Sequence, residues 1–277
     1  MVDKLHIGQT WFLTGMGITV NQMRLIERVT ERTAGGKPLY GLFIDFSNAY
    51  NTILHTKLYE RLQGILTDDE IQLIKALYSR QKLTFGDHSF TPNVGVAQGS
   101  LISPALFNIY SEDMYKKIED EAVIGYRDLM GYADDLLVLC DTKHQLSRVI
   151  KTIQAWSVEN NLGLNHKKSG IVEFFKKKGR AKPTLNIGQL YDGIPVCAYY
   201  KYLGMWIDGK LTKDRQIEHI TDKAKWMVMR LWHLLRKVSL SYRIRLWTIM
   251  IRPLFEQVMM LYYSERSSTN KEKVLRA

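Results

Sequence analysis

Asp134 and Asp135 stand side by side in the run Gly131-Tyr132-Ala133-Asp134-Asp135-Leu136-Leu137-Val138-Leu139. The apolar, β-prone flank predicts a strand hairpin with the acids at its turn. Neighbouring carboxylates repel one another and resist dehydration, and a divalent cation relieves both problems. A solvated Asp-Asp turn is the plain alternative, and an isolated pair does not exclude it. A third acid, Asp45, lies at the end of the apolar run Leu39 to Phe46. Strands remote in sequence can pair in one sheet, which would bring the three acids together. Such a cluster could hold two metal ions about 3.5–4 Å apart. Its hard oxygen ligands favour Mg²⁺ or Mn²⁺ over zinc.

The elements that must position these acids can be read from periodicity and punctuation. Residues 1–34 read as a loop and then a helix with Ile18, Met23, Leu25, Ile26 and Val29 as its apolar positions, broken at Ala34-Gly35-Gly36-Lys37-Pro38. Helices are expected from Thr52 to Leu62 and from Thr67 to Gln81, the second with Asp68-Asp69-Glu70 in a dipole-matched first turn. Thr84 to Val96 reads as a hairpin and Gln98-Gly99-Ser100 as a turn. A helix from Ser103 to Glu119 follows, with Pro104 in its tolerated first turn. Gln145 to Asn160 predicts an amphipathic helix. Ile171 to Phe175 and Tyr200 to Asp208 predict strands, and 176–180 a basic loop. From Leu211 onward the pattern is helical. Ile217, Ile220, Ala224, Met227, Leu231 and Leu234 form an apolar stripe whose plain reading is core packing.

Composition narrows the class. The chain has 277 residues with 45% hydrophobic and 24% charged content, which suits one to three folded domains. Two cysteines, Cys140 and Cys197, make no disulfide framework or zinc-finger spacing, so an intracellular compartment is expected, nucleus or cytoplasm in a eukaryote. The most apolar stretch, Leu246 to Tyr263, is interrupted by Arg252, Pro253 and Glu256, which argues against a membrane span. Residues 1–140 carry 13 Lys+Arg against 17 Asp+Glu, a net of −4. Residues 141–277 carry 26 against 11, a net of +15. The second half therefore suits a polyanionic partner.

The order of three segments is more specific. Phe43-Ile44-Asp45-Phe46-Ser47-Asn48-Ala49-Tyr50 is followed by Ala97-Gln98-Gly99-Ser100-Leu101-Ile102-Ser103-Pro104-Ala105-Leu106-Phe107-Asn108 and then by Tyr132-Ala133-Asp134-Asp135. This resembles motifs A, B and C of reverse transcriptases. Leu162-Gly163-Leu164-Asn165-His166-Lys167-Lys168-Ser169 is similar to motif D, and Tyr200-Lys201-Tyr202-Leu203-Gly204 to motif E. The region around Lys201-Tyr202-Leu203-Gly204, His219-Ile220, Lys223-Ala224 and Arg252-Pro253 resembles non-LTR (LINE-type) retrotransposon enzymes, with group II intron enzymes second.

The resemblance implies an α+β right-hand polymerase core with an antiparallel palm sheet. It divides the chain into partial fingers (1–40), palm with motif A (41–62), a fingers/palm insertion (63–97), palm with motifs B to E (98–208) and a helical thumb (209–277). It implies RNA-directed DNA polymerisation by two-metal nucleotidyl transfer, with RNA template, DNA primer and dNTP as partners and Mg²⁺ or Mn²⁺ as cofactor. Asp45, Asp134, Asp135 and the Phe46 carbonyl would ligate metal. Tyr50 would exclude a ribose 2′-hydroxyl. Gln98 and Gly99 would lie against the incoming nucleotide, and Ala133 would leave room at the primer end. Lys168 would assist the leaving pyrophosphate, and Tyr202, Leu203 and Gly204 would grip the primer. Gln9-Thr10-Trp11-Phe12-Leu13-Thr14-Gly15 departs from the fingers pattern Q-x-G-F-R-x-G, with Trp11 in place of glycine and Leu13 in place of arginine. Two rival classes remain open: a binding module that keeps the fold without polymerisation, and an RNA polymerase using rNTP. Tyr50 argues against the second. Nothing in the sequence assigns an oligomeric state, and no membrane partner is expected.

Overall fold

The computed structural model describes His6, Gly8, Gln9 and residues 17–176 and 183–256. The fingers segment containing Trp11 and Leu13, the basic residues 177–180 and the last part of the expected thumb, 257–277, lie outside the described residues.

An antiparallel sheet forms the centre. Strand β1 (Leu39–Ser47) has an apolar run on both faces, the pattern of a strand covered on each side. Two short strands, β2 (Leu83–Phe85) and β3 (His88–Phe90), form a separate ribbon. Strands β4 (Leu129–Tyr132) and β5 (Asp135–Cys140) form the acid-bearing hairpin, and β5 pairs with β1 along Tyr40↔Cys140 to Asp45↔Asp135. On its other edge β1 pairs with β6 (Gly163–Leu164) near Ser47 and with β7 (Gly170–Phe174) along Leu39 to Phe43. A small ribbon, β8 (Leu190–Tyr191) with β9 (Ile194–Pro195), follows.

Each face of the sheet has its own core. Tyr40, Leu42, Ile44 and Phe46 share one with Leu136, Val138 and Cys140. It is covered by α4 (Ser103–Ala122) and α5 (Lys143–Glu159), with α2 (His55–Leu62) and α3 (Asp68–Ser79) outside them. Leu39 and Phe43 belong to the opposite core with Leu137, Leu139, Val172 and Phe174. There they meet Leu25 and Val29 of α1 (Ile18–Thr33) and Tyr202, Met205 and Ile207 of the last hairpin.

The helix starts follow their caps. In α3 the Thr67 hydroxyl accepts the Glu70 N–H at 3.4 Å, and the Glu70 carboxylate accepts the Thr67 N–H at 2.8 Å. In α5 the Thr142 hydroxyl accepts the Gln145 N–H at 3.1 Å.

Two strand expectations change. Tyr200 to Asp208 is a hairpin, β10 (Tyr199–Tyr202) and β11 (Met205–Asp208). Leu203 (φ 46°) and Gly204 (φ 83°) both take left-handed backbone, which closes a two-residue turn where the apolar run reads as continuous strand. Asp135 is the first residue of β5, so only Ala133 and Asp134 form the acidic turn. Helices α6 (Asp214–Leu235) and α7 (Leu240–Leu246) follow. The α6 stripe is fully buried at Ile220 and Ala224, against β11, while Met227 and Leu231 stay half-buried because no further layer covers them among the described residues. No helix among the described residues is long and apolar enough to cross a membrane.

Candidate active site

Strand pairing brings the acids together. Asp45 of β1 sits opposite Asp135 of β5, and Asp135 pairs in turn with Tyr132 across the hairpin, leaving Asp134 on the connection. Ala133 holds that connection at φ 57°, a left-handed conformation that costs alanine about 1 kcal/mol and directs the chain sharply into Asp134.

The backbone of Asp45 is clasped from the far side. Its N–H donates to Ser169 Oγ at 3.2 Å, and its carbonyl accepts the Asn165 N–H at 2.9 Å. Phe46 and Ser47 continue this edge by pairing with Leu164 and Gly163. The loop between β6 and β7 thereby places Lys168, whose Nζ lies 3.9 Å from Asp45 Oδ2. That distance and an exposed ammonium make a loose, solvent-screened pair. The Lys168 carbonyl accepts the Tyr200 hydroxyl at 2.6 Å, joining this loop to β10.

Electrostatics follows from the crowding. Burial raises the Asp134 carboxyl above the ordinary carboxylate range; Asp45 adds to the rise, while its own backbone N–H and Lys168 oppose it. Asp135 is pushed up to about 6, chiefly by burial, then by Asp134 and Asp45, with Lys168 again opposing. The carboxylates thus lack enough positive charge.

An open polar cleft lies at this end of the sheet. It is lined by Asp45, Phe46, Ser47, Asn48, Ala49, Tyr50, Gln98, Asp134, Asn165 and Lys168. Asn48 at φ 51° turns the chain from β1 into a short 3-10 turn, Ala49–Asn51, which presents Tyr50. The Tyr50 ring stacks on Phe107 of α4 at 5.4 Å and 25°. Burial, and then Asp134, raise its phenol well above the usual value, so the hydroxyl stays neutral. Gln98 donates to Asn51 Oδ1 at 3.4 Å. Gly99 has φ 84° with open space where a Cβ would stand, so its glycine is needed for backbone conformation, not for close approach within this structure.

Of the residues singled out from sequence, Asp45, Phe46, Tyr50, Gln98, Asp134 and Lys168 line one cleft. Gly99, Ala133 and Asp135 flank it in chain and register. Tyr202, Leu203 and Gly204 lie outside the lining, on the β10–β11 hairpin. Asn165 and Ser169 lie in the motif D segment, where residue type alone gives them no role. Their signal is positional, since both bond the backbone of Asp45.

Among the described residues no group of three or more His, Cys, Asp or Glu side chains is arranged to hold a metal ion by itself. The donor set still fits a hard divalent ion. Mg²⁺ takes one or two carboxylates and completes its shell with water and substrate oxygens, and the carboxylates here repel one another.

A family model described as reverse transcriptase (RNA-dependent DNA polymerase) matches residues 12–207. The RNA-directed DNA polymerase from mobile element jockey of Drosophila funebris is 27% identical over 255 residues, covering 85% of this chain and 27% of that protein. The jockey polymerase of Drosophila melanogaster is 24% identical, covering 92% of this chain and 29% of that protein. A protein from the type-1 retrotransposable element R2 of Popillia japonica is 26% identical over 73% of this chain and 31% of its own length. The chain thus spans less than a third of the length of these curated relatives. Among solved structures, apo telomerase from Candida tropicalis, truncated from its C-terminal domain, superposes with a TM-score of 0.53 at 16% identity, covering 74% of this chain and 40% of that one, which speaks for the fold. With a match that takes in β1, the acidic hairpin and β10–β11, the chain belongs to the reverse transcriptase (RNA-dependent DNA polymerase) family.

Proposed function

We propose that this chain adds dNTPs to the 3′-hydroxyl of a DNA primer on an RNA template, as part of a retroelement protein. The observation that carries the reading is the single cleft holding Asp45 and Asp134 beside Tyr50, Gln98 and Lys168. Asp45, Asp134, Asp135 and the Phe46 carbonyl would hold Mg²⁺, with Mn²⁺ able to replace it. When bound, the ion supplies Lewis-acid charge stabilisation to the reacting phosphate.

The chain's own residues place the substrates. Tyr50, braced on Phe107, forms a neutral aromatic floor under the sugar and excludes a 2′-hydroxyl. Gln98 and Gly99 lie against the nucleotide and template base, and the small Ala133 leaves space for the primer end. Lys168 faces the leaving pyrophosphate as a mobile point charge. Tyr202, Leu203 and Gly204 hold the primer strand. Most of the rate would come from positioning and preorganised charge. The division into partial fingers, palm, insertion and thumb belongs to the same proposal. So does an intracellular site, nucleus or cytoplasm in a eukaryotic host, supported by the free cysteines Cys140 and Cys197.

Primer extension on poly(rA)/oligo(dT) with Mg²⁺ or Mn²⁺ tests the reading. Wild-type chain should extend the primer with dTTP, and Asp134→Ala should remove the activity. No extension above that variant would defeat the enzyme reading, and RNA binding retained in that case would favour a binding module. Equal use of rUTP would remove the role given to Tyr50.

A further inference from the structure

Two neighbouring buried amides of α1 reach two different parts of the site. Asn21 and Gln22 are both fully buried. Consecutive helical residues point about 100° apart, so one pair can serve two neighbouring elements. The Asn21 amide nitrogen is directed at the Gly131 carbonyl of β4, 3.5 Å away and three residues before Asp134. The Gln22 amide nitrogen donates to the Leu203 carbonyl at 2.9 Å, across 181 residues of sequence.

The Leu203 contact falls on a turn that needs support. Leu203 lies at φ 46°, where a leucine is disfavoured, and Gly204 at φ 83°. The Leu203 carbonyl points inward at Gln22, and the Leu203 side chain packs half-buried against the second core. A buried amide is held firmly by such a bond because either partner left alone is costly.

We infer that Gln22 is a positioning residue that fixes the Tyr202-Leu203-Gly204 turn at a set distance from Asp134, and so sets where the primer 3′ end sits. The inference rests on the polymerase reading for the identity of the strand held, and on the geometry alone for the tether. The first turns of α1 then bridge the acidic hairpin and the grip: Asn21 faces one and Gln22 the other. Loss of the donor frees the left-handed turn to relax, and the primer end shifts while the nucleotide pocket of Tyr50 and Gln98 stays in place.

The test compares wild-type chain with Gln22→Met, which keeps the length and removes the donor. Hydrogen exchange should quicken at the amides of Gly204 and Met205. In primer extension, kcat/KM for primer–template should fall about tenfold while KM for dNTP is unchanged. A purely structural role would move both substrates together, or lower the melting temperature with no split. Unchanged exchange at the turn overturns the inference, as does a loosened turn with unchanged kcat/KM for primer–template. If Gln22→Met does not fold, Gln22→Asn carries the same two measurements, because its shorter amide cannot span to Leu203. If the wild-type chain does not extend primers, the functional proposal fails by itself. The exchange difference then still decides whether Gln22 tethers the turn.

Discussion

Asp135 is held where its ionisation is opposed by burial and by two neighbouring carboxylates. Its native carboxyl, pushed up to about 6 from an ordinary 3.8, keeps a proton that the unfolded chain has released between pH 4 and 6. The native state therefore binds more protons in that window, and this group's contribution to stability falls as pH rises through it, by about 3 kcal/mol. Thermal melts in chelator should show that fall. Asp135→Asn should flatten it and raise the melting temperature at pH 7. Millimolar Mg²⁺ should stabilise wild type more than the variant, because a ligand that binds only the native state shifts folding by mass action. A wild-type melting temperature that climbs from pH 4 to 6 would contradict the electrostatic account. The acids were visible in sequence because residue type and motif order mark them together. Asn165, Ser169 and Gln22 were not, because each acts through a backbone atom of a residue elsewhere in the chain, which residue type does not reveal.

The acidic hairpin depends on a contact between a strand and a helix. A Cβ added at Gly131 of β4 would stand 1.8 Å from Tyr115 Oη and 2.7 Å from its Cζ. Tyr115 is itself buried in α4 and has little freedom to yield. Gly131→Ala should destabilise the chain by about 2–3 kcal/mol in urea unfolding at constant m-value. Tyr115→Phe in the same chain should recover part of that loss, giving a coupling in a double-mutant cycle. Additive losses would show that the two do not clash as drawn. Among the elements, α3 could be read from its acidic first turn, α4 from Pro104 and α5 from its amphipathic period, though the Thr142 cap starts α5 two residues before Gln145, and β1 could be read from its apolar run. The β10–β11 turn could not, because Leu203 is an unusual residue for left-handed backbone and only Gly204 signals it. The start of β5 at Asp135 was equally hidden, since register across to Asp45 decides it.

Over the whole molecule, charge and shape separate. The net charge is −4 in residues 1–140 and +15 in 141–277. The outer side of β10–β11 and the α6 surface pair cations with aromatics. Arg215 stacks 3.3 Å from the Tyr199 ring centroid and 4.7 Å from that of Trp206, and Arg230 4.6 Å from that of Trp226. Such a surface should bind nucleic acid with strong salt dependence. Anisotropy titrations with an RNA–DNA duplex should give a log–log slope against KCl of about −4 to −6, for roughly five or six neutralised phosphates. A slope near zero would remove the charge argument. The central position of β1 carries a different consequence, one for biosynthesis. Among the described residues its hydrogen-bonded partner strands, β5, β6 and β7, all come later in the chain. On a ribosome β1 therefore emerges with both edges bare and both faces apolar; one edge can pair once Cys140 has been made, the other is complete only after Phe174. Among the described strands, the one that carries Asp45 is thus the most exposed to aggregation while the chain is being synthesised.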